Sequence, residues 1–140
     1  MAAGICIIAH EPLASALKSC AQHIFSATGD THCNDIVCFD VPENITAAGG
    51  ETRARTLIGQ FPANTDILVF TDVLGATPSN IAHRLLDSPR VRVVTGVNLP
   101  ALITALSNTS EPINRVMTLA EGAARSGIST AMGRPDVAKG

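Results

Sequence analysis

Short apolar runs alternate along this chain with stretches whose apolar positions recur every three or four residues. That alternation predicts β-α-β units built around a parallel sheet. The first run, Gly4-Ile5-Cys6-Ile7-Ile8-Ala9, predicts a buried strand over 4–9 that stops at His10. Pro12 then opens a helix, tolerated in the first turn because its missing N–H has no partner to lose there. Its spacing places Leu13, Ala16, Leu17, Cys20 and Ile24 on one face, with Ser15, Lys18 and Gln22 opposite. Gly29-Asp30 ends this unit. A second strand is expected over 35–41, followed by a turn at Pro42-Glu43-Asn44. The next helix is weak at its start, because Gly49 and Gly50 each cost about 1 kcal/mol relative to Ala. It strengthens from Glu51, where Ala54, Leu57, Ile58 and Phe61 form a stripe.

The third strand, over 66–71, runs into Asp72, and a helix follows with Thr77 as its N-cap and Pro78 in its first turn, reaching about Leu86. A fourth strand over 91–95 alternates because of Arg92 and so reads as nearer the sheet edge. Leu99, Leu102, Ile103 and Leu106 then mark one helix. Ser110 is expected to cap another, with Ile113, Val116, Met117, Ala120 and Ala124 inside. The expected fold is α/β, a doubly wound, mostly parallel sheet with helices on both faces. Residues 1–126 form a single domain, and 127–140 form a loose tail or a short added strand around 128–132. Short right-handed crossovers leave few topologies, and one of the two common orders is 2-1-3-4. In that order strands one and three are neighbours, and His10 and Asp72 lie together beyond their carboxyl ends, where open parallel sheets carry their sites.

Composition narrows the functional classes. Net charge is −2, the basic residues are scattered, and there is no Trp or Tyr for base stacking; a nucleic-acid partner is not expected. No window approaches the apolar length of a membrane span, and the first residues lack a basic leader, so no direct membrane insertion is expected. Cys6, Cys20, Cys33 and Cys38 contain no CxxC spacing. They read as small buried hydrophobes of a reducing cytoplasm rather than as a disulfide frame.

The candidate chemistry rests on the two strand ends. A carboxylate accepting the proton of one imidazole nitrogen fixes the tautomer and leaves the other nitrogen as a nucleophile. The turn Gly75-Ala76-Thr77, at a helix start, offers backbone N–H groups, a hydroxyl and the positive dipole end to an anion. Together these suit phosphoryl transfer, which needs in-line positioning and donors for the equatorial oxygens. Each residue also has a plainer reading: His10 as a solvated loop residue, and Asp72 as a cap for its own loop. His83 reads as exposed, His23 borders an apolar face, and His32 beside Cys33 belongs to a polar loop.

Three stretches resemble one family in the right order: His10; Asp72-Val73-Leu74-Gly75-Ala76-Thr77-Pro78-Ser79-Asn80; and Thr95-Gly96-Val97-Asn98-Leu99-Pro100. Over about residues 4–126 the chain is similar to the mannose-class IIA proteins of the phosphoenolpyruvate-dependent phosphotransferase system. The resemblance implies that His10 accepts a phosphoryl group from the phosphocarrier HPr and passes it to a IIB protein or domain. Asp72 is then its orienting partner, with Gly75, Ala76 and Thr77 around the phosphate. It also implies a cytoplasmic homodimer that exchanges an added antiparallel strand, and a metal-independent phosphotransferase with no cofactor. The chain departs from the family where Glu11-Pro12 follows the histidine in place of Gly, and where Ala76 replaces a glycine. Other outputs of the same chemistry are a regulatory module that binds a partner according to phosphorylation state, and the phosphate donor of dihydroxyacetone kinase. A receiver-like domain would need paired acids after strand one for Mg²⁺ and here meets Ala9-His10-Glu11. A flavin protein would lack aromatic flanks.

Overall fold

In a computed structural model, which describes residues 2–134, four strands form one parallel sheet: β1 (Gly4–His10), β2 (Val37–Val41), β3 (Ile67–Thr71) and β4 (Val91–Thr95). Their order is β2-β1-β3-β4, the expected one of the two common doubly wound orders. Ile8 pairs with Phe39 on one side and Thr71 on the other, and His10 stands level with Val41. The two central strands are buried from Gly4 to Ala9 and from Ile67 to Thr71, which explains their unbroken apolar runs. At the edge, residues 92–95 of β4 are half-buried.

Successive side chains point to opposite faces, so each strand feeds two cores. Ile7, Phe70, Leu102 and Val116 belong to the core under α1 (Leu13–Phe25), α4 (Leu99–Leu106) and α5 (Ile113–Ser126). Ile8, Val69, Leu57 and Ile81 belong to the core under α2 (Ala47–Ile58) and α3 (Thr77–Arg84). Short 3-10 turns occupy His32–Asp35 and Leu85–Asp87.

Several local expectations are corrected. The buried face of α1 is Ala14, Leu17 and Ala21, while Leu13, Ala16, Cys20 and Ile24 are exposed. Small alanines let the helix approach the sheet, and that close approach outweighs the larger stripe beside it. Cys20 is therefore at the surface, whereas Cys6 and Cys33 are buried and Cys38 is half-buried; all four are free. The second strand starts at Val37, because residues 32–35 close a 3-10 turn first. The α2 helix begins at Ala47, before its glycines, with the Thr46 hydroxyl accepting from Gly49 N–H. Gly50 is required there: a Cβ would lie 2.2 Å from Ile81 Cδ1. Phe61 falls beyond that helix and lies over the start of β1, where a Cβ on Gly4 would sit 2.6 Å from its ring. The N-cap of α3 is Ala76, so Thr77 is its first residue. Pro112, not Ser110, precedes α5, because a turn closed by Glu111 N–H to Asn108 O holds Ser110 outside.

Residues 128–134 carry no regular structure in the single chain, and Ile128 and Met132 are exposed. The remainder of the expected tail, 135–140, lies outside the described residues. Among the described residues, no helix is long and apolar enough to cross a membrane.

Candidate functional site

His10 is the last residue of β1, and Asp72 follows the last residue of the neighbouring β3. Parallel pairing of those strands brings the two side chains together across 62 residues of sequence. The Nδ1 of His10 lies 2.6 Å from Asp72 Oδ2, and the same oxygen accepts the His10 backbone N–H at 2.9 Å. Oδ1 accepts the Val73 N–H at 2.9 Å. In the neutral ring such a bond selects the tautomer that carries its proton on Nδ1 and leaves the Nε2 lone pair free. The two groups differ in exposure: the imidazole is 55% exposed and the carboxylate 9%. Burial raises the Asp72 pKa, but the bonds from the His10 amide, its ring and the Val73 amide outweigh that and hold the carboxyl below its usual range.

The base of the site is fixed from a third side. The Thr71 carbonyl, just before Asp72, accepts N–H groups from Gly96 at 2.9 Å and Val97 at 3.1 Å. Gly96 reaches that geometry with φ +87°, a left-handed conformation that favours glycine. Asn98 then N-caps α4 by accepting from Ala101 N–H and donates through Nδ2 to Ala124 O. The motif at 95–98 thus secures the strand end that carries Asp72. Thr71 also holds a buried hydroxyl with no hydrogen-bond partner among the described residues.

The turn at 75–77 lies between Asp72 and the start of α3, with Gly75 at φ +88°. The Ala76 N–H is engaged by Val73 O at 3.1 Å. Because Thr77 is not the N-cap, its hydroxyl caps no helix, and α3 begins without any side-chain cap. Thr77 and Ser79, in its first turn, donate their N–H groups to no acceptor among the described residues. An anion there would meet unsatisfied donors and the positive end of the helix dipole.

The first turn of α1, by contrast, already holds a carboxylate at its third residue, while the Leu13 and Ala14 N–H groups donate to no acceptor among the described residues. Its N-cap, Pro12, supplies no side-chain acceptor, yet Ser15 donates its N–H to Asp40 Oδ1 at 3.1 Å and its hydroxyl to Asp40 Oδ2 at 2.5 Å. Asp40 and Ser15 escaped the sequence reading. The only signal was a carboxylate in an otherwise apolar strand. Glu11 is exposed, and its N–H is held by Val41 O at 3.1 Å. Segments 10–12, 42–46, 72–76 and 96–98, which connect strand ends to helices, contain Glu11, Glu43 and Asp72 but no Lys or Arg. Of the remaining histidines, His83 is exposed with its ring on Ser79 O, and His32 pairs with Asp30 at 3.1 Å.

The family described as the PTS system fructose IIA component (EIIA-man) matches residues 4–117. No curated protein matches the chain. Among solved structures, the mannose/sorbose-specific IIA subunit of the phosphotransferase system from Enterococcus faecalis superposes with a TM-score of 0.82 at 21% identity, covering 96% of this chain and 98% of that one. The phosphotransferase system component EIIA from Streptococcus agalactiae gives 0.77 at 21% identity, over 91% and 95% of the two chains. The PTS IIA protein associated with the fucose utilization operon from Streptococcus pneumoniae gives 0.75 at 22%, over 93% and 96%. At these identities the structural likeness is one of fold.

Proposed function

This chain belongs to the mannose-class IIA family of the phosphotransferase system, and from that membership we propose that it is a histidine phosphoryl carrier. Phospho-HPr donates to His10, and His10 passes the group to a IIB protein or domain in sugar uptake or its regulation. The observation that carries this reading is the bond between His10 Nδ1 and the nearly buried Asp72 carboxylate, which leaves the other nitrogen of an exposed ring free of that partner.

The chemistry follows from that bond. The Nε2 lone pair attacks the phosphorus of the donor phosphohistidine, the donor P–N bond breaks, and its electron pair returns to the donor nitrogen. Asp72 keeps the Nδ1 proton in place and balances the positive charge that develops on the ring. Thr77 and the amides at the start of α3 receive the phosphoryl oxygens, with Gly75 and Ala76 shaping the turn. Transfer between two histidine nitrogens proceeds on this reading without metal or cofactor. The carrier works in the cytoplasm as a homodimer whose partners exchange a strand formed from the segment around 128–132. Its partners are HPr and IIB, not nucleic acid or the membrane itself.

Intact-mass measurement after incubation with phosphoenolpyruvate, enzyme I and HPr tests the assignment. The wild-type chain gains one phosphoryl group that is labile to acid and stable to alkali, and His10→Ala gains none while keeping its fold. Phosphorylation retained in His10→Ala ends the proposal.

A further inference from the structure

Two helices begin at the strand ends that carry His10 and Asp72, and a carboxylate from the neighbouring strand is bonded into the first turn of only one of them. The Asp40 carboxylate, from β2, accepts both the N–H and the hydroxyl of Ser15, the third residue of α1. That N–H is one an N-cap side chain would ordinarily take, and Pro12 has none to offer. Asp40 is thus a cap supplied from the neighbouring strand, and its negative charge opposes the positive end of the α1 dipole. Val41, the next residue, accepts the Glu11 N–H, so β2 holds the turn after His10 at two successive points. At α3 the corresponding position is unprotected: no side chain caps the helix and its first turn contains no acid.

From this asymmetry we infer that Asp40 is a positioning residue for the phosphoryl group: it closes the α1 N-terminus to anions and directs the group on His10 to the α3 turn. The inference rests on His10 being the acceptor, and it assigns Asp40 a part beyond stabilising α1. A phosphoryl group carried by His10 is one residue from Glu11 in the chain, and the connecting segments at that end of the sheet contain no Lys or Arg. Removing the Asp40 charge therefore makes the phosphorylated form easier to hold and less ready to give up its group. A purely structural cap would weaken α1 without moving that balance.

Two measurements on Asp40→Asn and Ser15→Ala separate these roles. First, inorganic phosphate is titrated onto the unphosphorylated chains while backbone amide shifts are followed. In wild type the amides of residues 13–15 do not respond; in Asp40→Asn they do. A response there in wild type, or none in Asp40→Asn, overturns the inference. This arm does not depend on His10 accepting phosphate. Second, the equilibrium between phospho-HPr and the phosphorylated chain is measured. Asp40→Asn shifts it toward the phosphorylated chain by about two- to fivefold, the range of one charge at a helix terminus. Ser15→Ala keeps the Asp40 charge and leaves it unchanged. Equal equilibria in wild type and Asp40→Asn, or equal shifts in both variants, reduce Asp40 to a structural cap. Absence of phosphorylation in wild type instead removes the acceptor assignment, and the phosphate titration then decides the role of Asp40 alone.

Discussion

Asp72 is where protonation, stability and function meet in one side chain. It accepts three bonds, from the His10 amide, the His10 ring and the Val73 amide, and those bonds hold its carboxyl below the ordinary range. An unfolded Asp titrates at about 3.9. A group depressed below that value when folded contributes stability above the unfolded value and loses it as pH falls through the folded one. Asp72→Ala should therefore be less stable than wild type at neutral pH, by about 1.5–3 kcal/mol for bonds to a charged acceptor. The gap should narrow steadily below about pH 4. Urea unfolding at a series of pH values checks this, and a gap that stays constant into strong acid contradicts the assigned linkage. The same variant should accept phosphate more slowly, since Nδ1 loses the group that fixes its tautomer. His10 and Asp72 were legible in the sequence because each terminates an apolar run, and a strand end has one address in a parallel sheet. Asp40 was not, because its bonds to Ser15 cross 25 residues and answer a need, an uncapped Pro12, that appears only once the helix start is fixed.

Between α2 and α3, packing reverses what intrinsic preference would predict. Gly50→Ala gains about 1 kcal/mol of helix propensity. The new Cβ, however, would lie 2.2 Å from Cδ1 and 2.8 Å from Cγ1 of Ile81, a side chain with no exposed surface into which to move. Overpacking of this kind costs about 1–3 kcal/mol, so the variant should be less stable despite its better helix former. Adding Ile81→Val, which removes Cδ1, should restore part of the loss, and thermal unfolding of the single and double variants reads the coupling. A Gly50→Ala chain more stable than wild type would show that α2 shifts freely along α3. The glycine pair read as a weak helix start because propensity sees only the backbone; its purpose is the approach of a second helix. The face of α1 failed for a related reason. Periodicity weighted Leu13, Cys20 and Ile24 by hydrophobicity, whereas the sheet selected Ala14 and Ala21 by size. Helix existence was readable everywhere, but the residue that meets the sheet depends on the distance between layers.

At the scale of the whole molecule, connection rules narrowed the strand order to a few without forcing one, and the structure holds the expected 2-1-3-4 in a chain whose residues 4–117 match the family. Those rules concern one chain, and they leave β2 and β4 as edges among the described residues. An open edge is a template for another strand. Beside β4, a shallow hollow of about 220 Å³ is bounded by Val94, Thr95, Ala124 and Ile128. The segment after α5 exposes 73% of Ile128 and 91% of Met132, an amount of apolar surface that a lone chain gains nothing by presenting. The proposed exchanged-strand homodimer covers both features at once. Ending the chain after Gly127 should therefore convert a dimer into a monomer, read by light scattering across micromolar concentrations. Because the association buries apolar surface, it should persist in high salt. No residue beyond 127 contacts His10, Asp72 or the turn at 75–77 through a hydrogen bond among the described residues, so the shortened chain should still accept phosphate at His10. A full-length chain that remains monomeric throughout that range removes the dimer and leaves the carrier chemistry standing. A dimer undiminished by the truncation instead moves the interface away from β4.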